Sequence, residues 1–254
     1  MSVKVKIDGK VYEAQKGEYI MDVAKRNDVF IPGFCNHESL SGQGCCRLCV
    51  VDLNEGGKNR TVVSCIYPVE KDCEVSTESE KIKGIRRTLL SMLKGRAPHA
   101  EEVEALCAKY GVPKEKRYTE NAEAKACILC GLCVEACNRL GAGAISSAGR
   151  GTGKKITTPY DELSADCIGC ASCASVCPTS AIECQEGNGS RVIWNRTFDM
   201  VRCTRCGKPF AVKEQLDYIT ERLKGCECDC KPLSECETCR QKKTTDIMAK
   251  TFGI

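Results

Sequence analysis

The sequence predicts an α+β protein assembled from several small modules rather than around one large core. Three observations lead there. Cysteines number 23 among 254 residues and fall in compact groups. An alternating apolar stretch opens the chain, with a helical repeat directly behind it. Aromatic residues make up only 5% of the chain, with a single Trp, so ordinary hydrophobic cores are thin and metal staples must supplement them.

The densest cysteine groups read Cys127-Ile-Leu-Cys130-Gly-Leu-Cys133-Val-Glu-Ala-Cys137 and Cys167-Ile-Gly-Cys170-Ala-Ser-Cys173-Ala-Ser-Val-Cys177-Pro178. Each has the spacing C-x2-C-x2-C-x3-C. One tight loop then presents three thiolates to a cubane of iron and sulfide, and the fourth cysteine serves the other cluster. The spacing assigns one [4Fe–4S] to Cys127, Cys130, Cys133 and Cys177, and a second to Cys167, Cys170, Cys173 and Cys137. Residues 142–145 and 179–182 follow their blocks in matching places, an internal pseudo-repeat. Each Ala-Ile pair there is expected to begin or pack a short strand under a cluster. Residues 119–195 are read as this two-cluster ferredoxin domain of bacterial type. Cys184 reads as a packing thiol. Residues 150–160 lack the full phosphate-loop pattern and read as a solvated loop.

At the start of the chain, apolar residues alternate on both sides of Asp8-Gly9, a dipeptide that favours a tight hairpin. Residues 18–27 follow, with Ile20, Val23 and Ala24 at helical spacing. A hairpin, a helix and then a cysteine loop is the opening order of a β-grasp ferredoxin. The loop holds Cys35, the pair Cys45-Cys46, then Cys49 and Cys65. With Cys46 as ligand the spacing is C-x10-C-x2-C-x15-C, and the x2 step is expected to hold Cys46 and Cys49 on one iron. Cys45 is the rival ligand, but it loses that x2 step. His37 reads as a loop residue hydrogen-bonding around the site, and Cys73 as a small buried hydrophobe.

This stretch resembles the [2Fe–2S] domain that opens the large iron–sulfur subunit of NADH dehydrogenase, iron-only hydrogenases and the small diaphorase subunit of NAD-linked hydrogenases. The resemblance implies a [2Fe–2S] cluster on Cys35, Cys46, Cys49 and Cys65, within a β-grasp domain at 1–76. With the paired cysteine blocks, it covers 1–75 and 120–185. In the resembled family a further [4Fe–4S], held by one His and three Cys, often lies in the next segment. Here only His99 and Cys107 are present, without a C-x2-C, so that cluster is expected to be absent and both residues to be ordinary helix residues. Residues 77–118 are read as a helical linker. Ile82, Ile85, Leu89 and Met92 form one apolar stripe; Val103, Leu106 and Tyr110 form another before a capping Gly111. The two helices, joined through Pro98, are expected to bridge the iron–sulfur domains.

The last module, 199–243, opens with Cys203-Thr-Arg-Cys206-Gly207, a knuckle in which two thiolates share a tight turn. An amphipathic helix follows, with Val212, Leu216, Ile219 and Leu223 on one face, and then Cys236-Glu-Thr-Cys239. Two C-x2-C pairs make a zinc-ribbon-like site, with Zn2+ on Cys203, Cys206, Cys236 and Cys239. Cys226, Cys228 and Cys230 leave open a displaced ligand or a further metal. The basic residues after Cys239 read as a solvated tail.

The first residues show no apolar signal core, and no apolar run approaches a membrane span. So many cysteines outside the secretory route argue for metal rather than disulfides, hence a reducing compartment, the cytoplasm. A net charge of +4 is too small for a nucleic-acid groove. There is no nucleophile–base pair and no flavin or nicotinamide fingerprint. The chain is therefore read as an electron-transfer component without catalysis of its own. The resemblance implies a place in a multisubunit anaerobic oxidoreductase, between a flavoprotein NAD(P)H module and a catalytic subunit of hydrogenase or formate dehydrogenase type. Two alternatives are a free soluble polyferredoxin, against which the positive charge speaks, and a zinc-finger nucleic-acid binder, which lacks a basic recognition helix.

Overall fold

The computed structural model describes residues 2–113, 118, 126–224 and 233–252. The chain divides into two compact units. The first comprises Met1–Ala136, Ser147–Ile156 and Val176–Ala181; the second comprises Cys137–Ser146, Thr157–Ser175 and Ile182–Ile254.

The first unit opens with β1 (Ser2–Ile7) and β2 (Lys10–Gln15), an antiparallel pair around Asp8-Gly9. Both turn residues have positive φ, 46° and 89°, as a tight two-residue hairpin demands. Strand β1 alternates strictly, with Val3, Val5 and Ile7 inward. Helix α1 (Ile20–Arg26) buries Ile20, Met21, Val23 and Ala24. Beyond the cysteine loop lie β3 (Val50–Glu55), β4 (Lys58–Val63) and β5 (Cys73–Ser76). The sheet order is β2-β1-β5-β3-β4, with β1 parallel to β5 and the other pairs antiparallel. α1 packs on this mixed sheet through a core that includes Val5, Ile7, Val51, Leu53 and Val75. Burying each such aliphatic side chain contributes roughly 1.5–3 kcal/mol.

Helix α2 (Glu80–Arg96) starts at Ser79, whose hydroxyl accepts from Ile82 N at 3.2 Å and donates to Asp52 at 2.6 Å. Helix α3 (Glu101–Tyr110) stops on Gly111, left-handed at φ 64°, as predicted. The buried stripe of α2 differs from the predicted one. It runs through Ile82, Arg86 and Leu90, while Met92 is 49% exposed. A charged residue holds this core position because four acceptors surround it. Arg86 donates to Leu48 O at 3.0 Å, Val50 O at 2.9 Å, Glu78 at 2.7 Å and the Tyr110 hydroxyl at 3.0 Å. His99 sits in the turn between α2 and α3 rather than in a helix. Cys107 is buried, its thiol on Leu90 O at 3.8 Å. Among the described residues neither joins a group of side chains able to hold a metal. Leu90, Val103 and Tyr110 share one core with Phe34, Cys130 and Leu132. The two helices thus pack against both the first cysteine loop and the first cysteine block.

Through the paired blocks run α4 (Leu132–Leu140), β6 (Ser146–Ala148), β7 (Lys155–Thr157) and α5 (Ser172–Ser175), with β6 and β7 forming a two-stranded sheet. In the second unit β8 (Cys184–Gly187), β9 (Ser190–Ile193), β10 (Arg196–Arg202) and β11 (Pro209–Val212) make an antiparallel sheet in the order β11-β10-β9-β8. Helices α6 (Lys213–Leu223) and α7 (Glu237–Phe252) follow. Strand β10 crosses the boundary read at 195–199, so one sheet serves both segments. Its sequence, Arg-Thr-Phe-Asp-Met-Val-Arg, has no clean alternation to announce a strand. The basic stretch after Cys239 is the helix α7 rather than a tail. No described helix is long and apolar enough to cross a membrane.

Candidate metal centres

The loop between α1 and β3 buries Cys35, Cys46 and Cys49, and a short 3-10 turn at Ser64–Ile66 brings in buried Cys65. Sγ of Cys35 lies 3.3 Å from Sγ of Cys46, and the Cys46 amide donates to Cys35 Sγ at 3.4 Å. The Cys35 thiol contacts Cys45, Cys46 and Cys65, and Cys65 in turn contacts Cys49. Arg47, left-handed at φ 58°, turns the chain between Cys46 and Cys49. Gly44 also has positive φ, and a Cβ there would come within 2.8 Å of Ile66 Cδ1. Cys45 is exposed, and its thiol donates to Cys130 O at 3.1 Å. Hydrogen bonds, from Cys45 first and then Cys46 and Cys65, drive Cys35 far below the ordinary thiol range. Cys65 is driven far above it, chiefly by Cys35 and Cys49. Sulfurs this crowded cannot all ionise without a cation among them. His37 accepts from Ser39 N at 3.2 Å, a loop role as predicted.

Cys127, Cys130 and Cys133 lie with Cys177 in the first unit, and Cys167, Cys170 and Cys173 lie with Cys137 in the second unit. Burial raises Cys130 to about 11, and the charges of Cys177 and Cys127 add to it. Cys173 is likewise raised to about 11 by burial, with Cys170, Cys167 and Cys137 adding and Trp194 opposing. The fourth cysteine of each block thus acts on the other block's thiols. The pseudo-repeat is visible in hydrogen bonds: Ala144 N donates to Cys137 Sγ and Ala181 N to Cys177 Sγ, both at 3.3 Å. A small cavity of about 20 Å³ lies at the second set, lined by Cys137, Cys167, Cys170, Cys173, Ile193 and Trp194 among others.

In the last module the four Sγ atoms of Cys203, Cys206, Cys236 and Cys239 lie within 4.8 Å of one another. Cys206 and Cys236 are 3.8 Å apart. A tetrahedral ion with Zn–S bonds of about 2.3 Å sets sulfurs roughly 3.8 Å apart. The Cys236 amide donates to Cys203 Sγ at 3.3 Å; that bond is the largest cause holding the Cys203 thiol down at about 6. Cys239 is pushed up to about 12, by burial first and then by the other three thiols. Cys226, Cys228 and Cys230 lie outside the described residues. Cys184 is half-buried on β8, and Cys73 half-buried on β5.

Sequence reading missed the side chains that brace these loops. Arg191, buried, donates to Gly169 O at 2.7 Å. Arg196 donates to the carbonyls of Ser164, Ala165 and Cys167 at 2.9–3.1 Å. Gly169 has φ 64°, and a Cβ there would lie 2.7 Å from the Phe198 ring. An arginine beside a turn gives no local sign that its acceptors lie 22 to 32 residues away.

Crowded cysteine loops on a mixed sheet and a twice-repeated cysteine block mark an iron–sulfur protein of ferredoxin type. Residues 1–80 match the model of a 2Fe-2S iron-sulfur cluster binding domain and 126–181 that of a 4Fe-4S dicluster domain, and the chain carries both. The NADP-reducing hydrogenase subunit HndD of Solidesulfovibrio fructosivorans is 29% identical over 208 residues, 70% of this chain and 35% of that protein. The mitochondrial NADH-ubiquinone oxidoreductase 78 kDa subunit of Candida albicans is 29% identical over 205 residues, 71% of this chain and 28% of that protein. A chain of a crystal structure of NAD+-reducing [NiFe]-hydrogenase in the H2-reduced state is 28% identical, with a TM-score of 0.53 over 62% of this chain and 75% of that one. The chain spans 35% or less of the length of these curated relatives.

Proposed function

We propose that the chain is an electron-transfer subunit, without catalysis of its own, of a multisubunit oxidoreductase. It relays single electrons between a flavin-bearing NAD(P)H module and a catalytic subunit of hydrogenase or formate dehydrogenase type. One [2Fe–2S] would sit on Cys35, Cys46, Cys49 and Cys65. Two [4Fe–4S] would sit on Cys127, Cys130, Cys133 and Cys177, and on Cys167, Cys170, Cys173 and Cys137. Clusters bound there supply reversible one-electron chemistry at low potential, near about −400 mV for an all-cysteine [2Fe–2S] of plant type. The chain's own part is to bury the sulfurs, aim amides at them and hold their loops. The observation that carries the reading is the core shared by Cys35, Cys46 and Cys130, with Cys45 bonded to the Cys130 carbonyl beside it, which keeps the first two cysteine sets in a single compact unit. The hydrogenase and NADH-ubiquinone oxidoreductase names of the relatives support the choice of complex.

The β-grasp reading of 1–76, the linker at 77–118, the ferredoxin domain at 119–195 and the zinc-ribbon-like module at 199–243 belong to the same proposal, as does the cytoplasm. Cys203, Cys206, Cys236 and Cys239 would hold Zn2+, which is redox-inert and serves the fold and docking on a partner subunit rather than the electron path. The test is anaerobic purification of the full chain from its native host, with its partners. About ten irons and ten sulfides per chain are expected, plus one zinc, with one [2Fe–2S] and two interacting [4Fe–4S] signals by electron paramagnetic resonance. Redox-active iron lost from a Cys203→Ser, Cys206→Ser variant would overturn the zinc assignment. NAD(P)H oxidation by the isolated chain, or flavin bound to it, would overturn the relay role.

A further inference from the structure

We infer that Trp194 is a positioning residue for the second [4Fe–4S], its indole N–H stabilising the reduced cluster through Cys173. This rests on the assignment of Cys137, Cys167, Cys170 and Cys173 as that cluster's ligands. Trp194 Nε1 donates to Cys173 Sγ at 3.4 Å. The indole lines the cavity formed by those four cysteines.

The backbone gives an independent reason to look at this side chain. Trp194 and Asn195 are the two turn residues between Ile193 and Arg196, which pair across β9 and β10. Their φ values are 52° and 60°. Such a turn needs positive φ at both central positions and strongly prefers Asn-Gly or Gly-Gly. A bulky aromatic in the left-handed region is an outlier that local preference does not explain. This is also the only Trp in the chain, and it lies beyond the matched dicluster segment at 126–181. The hairpin that carries it is fastened to the same cysteine loop by Arg191 on Gly169 O and by Arg196 on the carbonyls of Ser164, Ala165 and Cys167. It is a lid whose tip reaches a ligand sulfur.

Reduction adds one electron, supplied by the redox partner or by a chemical reductant, and no bond is made or broken. The added negative charge spreads onto the ligand sulfurs. A hydrogen-bond donor to one of them favours the reduced form and raises the potential.

The test uses the full chain with its clusters assembled anaerobically, titrated with dithionite and followed by electron paramagnetic resonance. Trp194→Phe keeps an aromatic ring and removes the donor; Trp194→His keeps a ring N–H. With iron content unchanged, Trp194→Phe should move one [4Fe–4S] transition to lower potential and leave the other two clusters where they were. Trp194→His should restore part of the shift. Full iron with unmoved potentials in Trp194→Phe would overturn the inference, and so would equal loss of the cluster in both variants, which points to packing alone. Cys173→Ser is run in parallel. If it leaves both [4Fe–4S] signals intact, the ligand assignment has failed rather than the role of Trp194.

Discussion

The thiol of Cys45 donates to the backbone carbonyl of Cys130 at 3.1 Å. Cys45 precedes Cys46 of the first thiolate set, and Cys130 belongs to the first cysteine block. A single exposed side chain thus joins two groups of cysteines through one hydrogen bond. Cys46, beside it, is buried and exchanges contacts with Cys35.

Cys46→Ser should therefore abolish the [2Fe–2S] signal, while Cys45→Ser should largely preserve it. The hydroxyl of Cys45→Ser can still donate to the carbonyl, but a serine at 46 removes a buried sulfur ligand. Electron paramagnetic resonance of the reduced protein decides. Loss in Cys45→Ser with retention in Cys46→Ser would reverse the register.

Cys177→Ser should damage the same [4Fe–4S] as Cys127→Ser, although 177 lies in the other block. Cys137→Ser should instead match Cys167→Ser. The grouping of Cys177 with the first block and Cys137 with the second block predicts this exchange. Spectra of the four single variants check it, and pairing within each block would refute it.

Arg86→Leu should destabilise the first unit by about 2–4 kcal/mol, chiefly the cost of leaving two buried carbonyls without a donor. The leucine fills part of the space but leaves Leu48 O and Val50 O without their donor, while Glu78 keeps only the Tyr110 hydroxyl. Chemical denaturation of the full chain, monitored at the cluster absorbance and by circular dichroism, measures it. An unmoved midpoint would show that the guanidinium contributes little.

Acid sensitivity should depend on Asp52. Burial by itself would raise this carboxyl, but donors from Ser79, Thr61 and Lys81 outweigh it and hold the group below the usual carboxylate range. A depressed folded pKa contributes stability that is present above the unfolded value, near about 3.9, and is lost as pH falls through the folded one. Asp52→Asn should lower stability at neutral pH and flatten its decline below about pH 4. Parallel pH-dependent decline in both proteins would remove Asp52 as the cause.

What the sequence determined by itself is local. A C-x2-C-x2-C step forces three sulfurs onto one short loop, Asp8-Gly9 meets the turn of a tight hairpin, and Gly111 supplies the left-handed residue that ends α3. These depend on covalent spacing and on φ, so neighbours a few residues apart suffice. Tertiary structure decided the rest. Arg86 is buried because acceptors 36 and 38 residues away meet it, and without them the apolar stripe of α2 would run elsewhere. The Cys35 thiol meets Cys46 across eleven positions of chain, a loop closure that spacing alone does not announce. Strand β10 crosses a boundary that composition suggested, since its backbone pairing with β9 and β11 outweighs an irregular side-chain pattern. Trp194 reads as one more residue of a short apolar run after Val192 and Ile193 until the fold brings its N–H to a sulfur 21 residues earlier in the chain. Long-range hydrogen bonds leave no mark on periodicity, and that is why these features were invisible before the chain was folded.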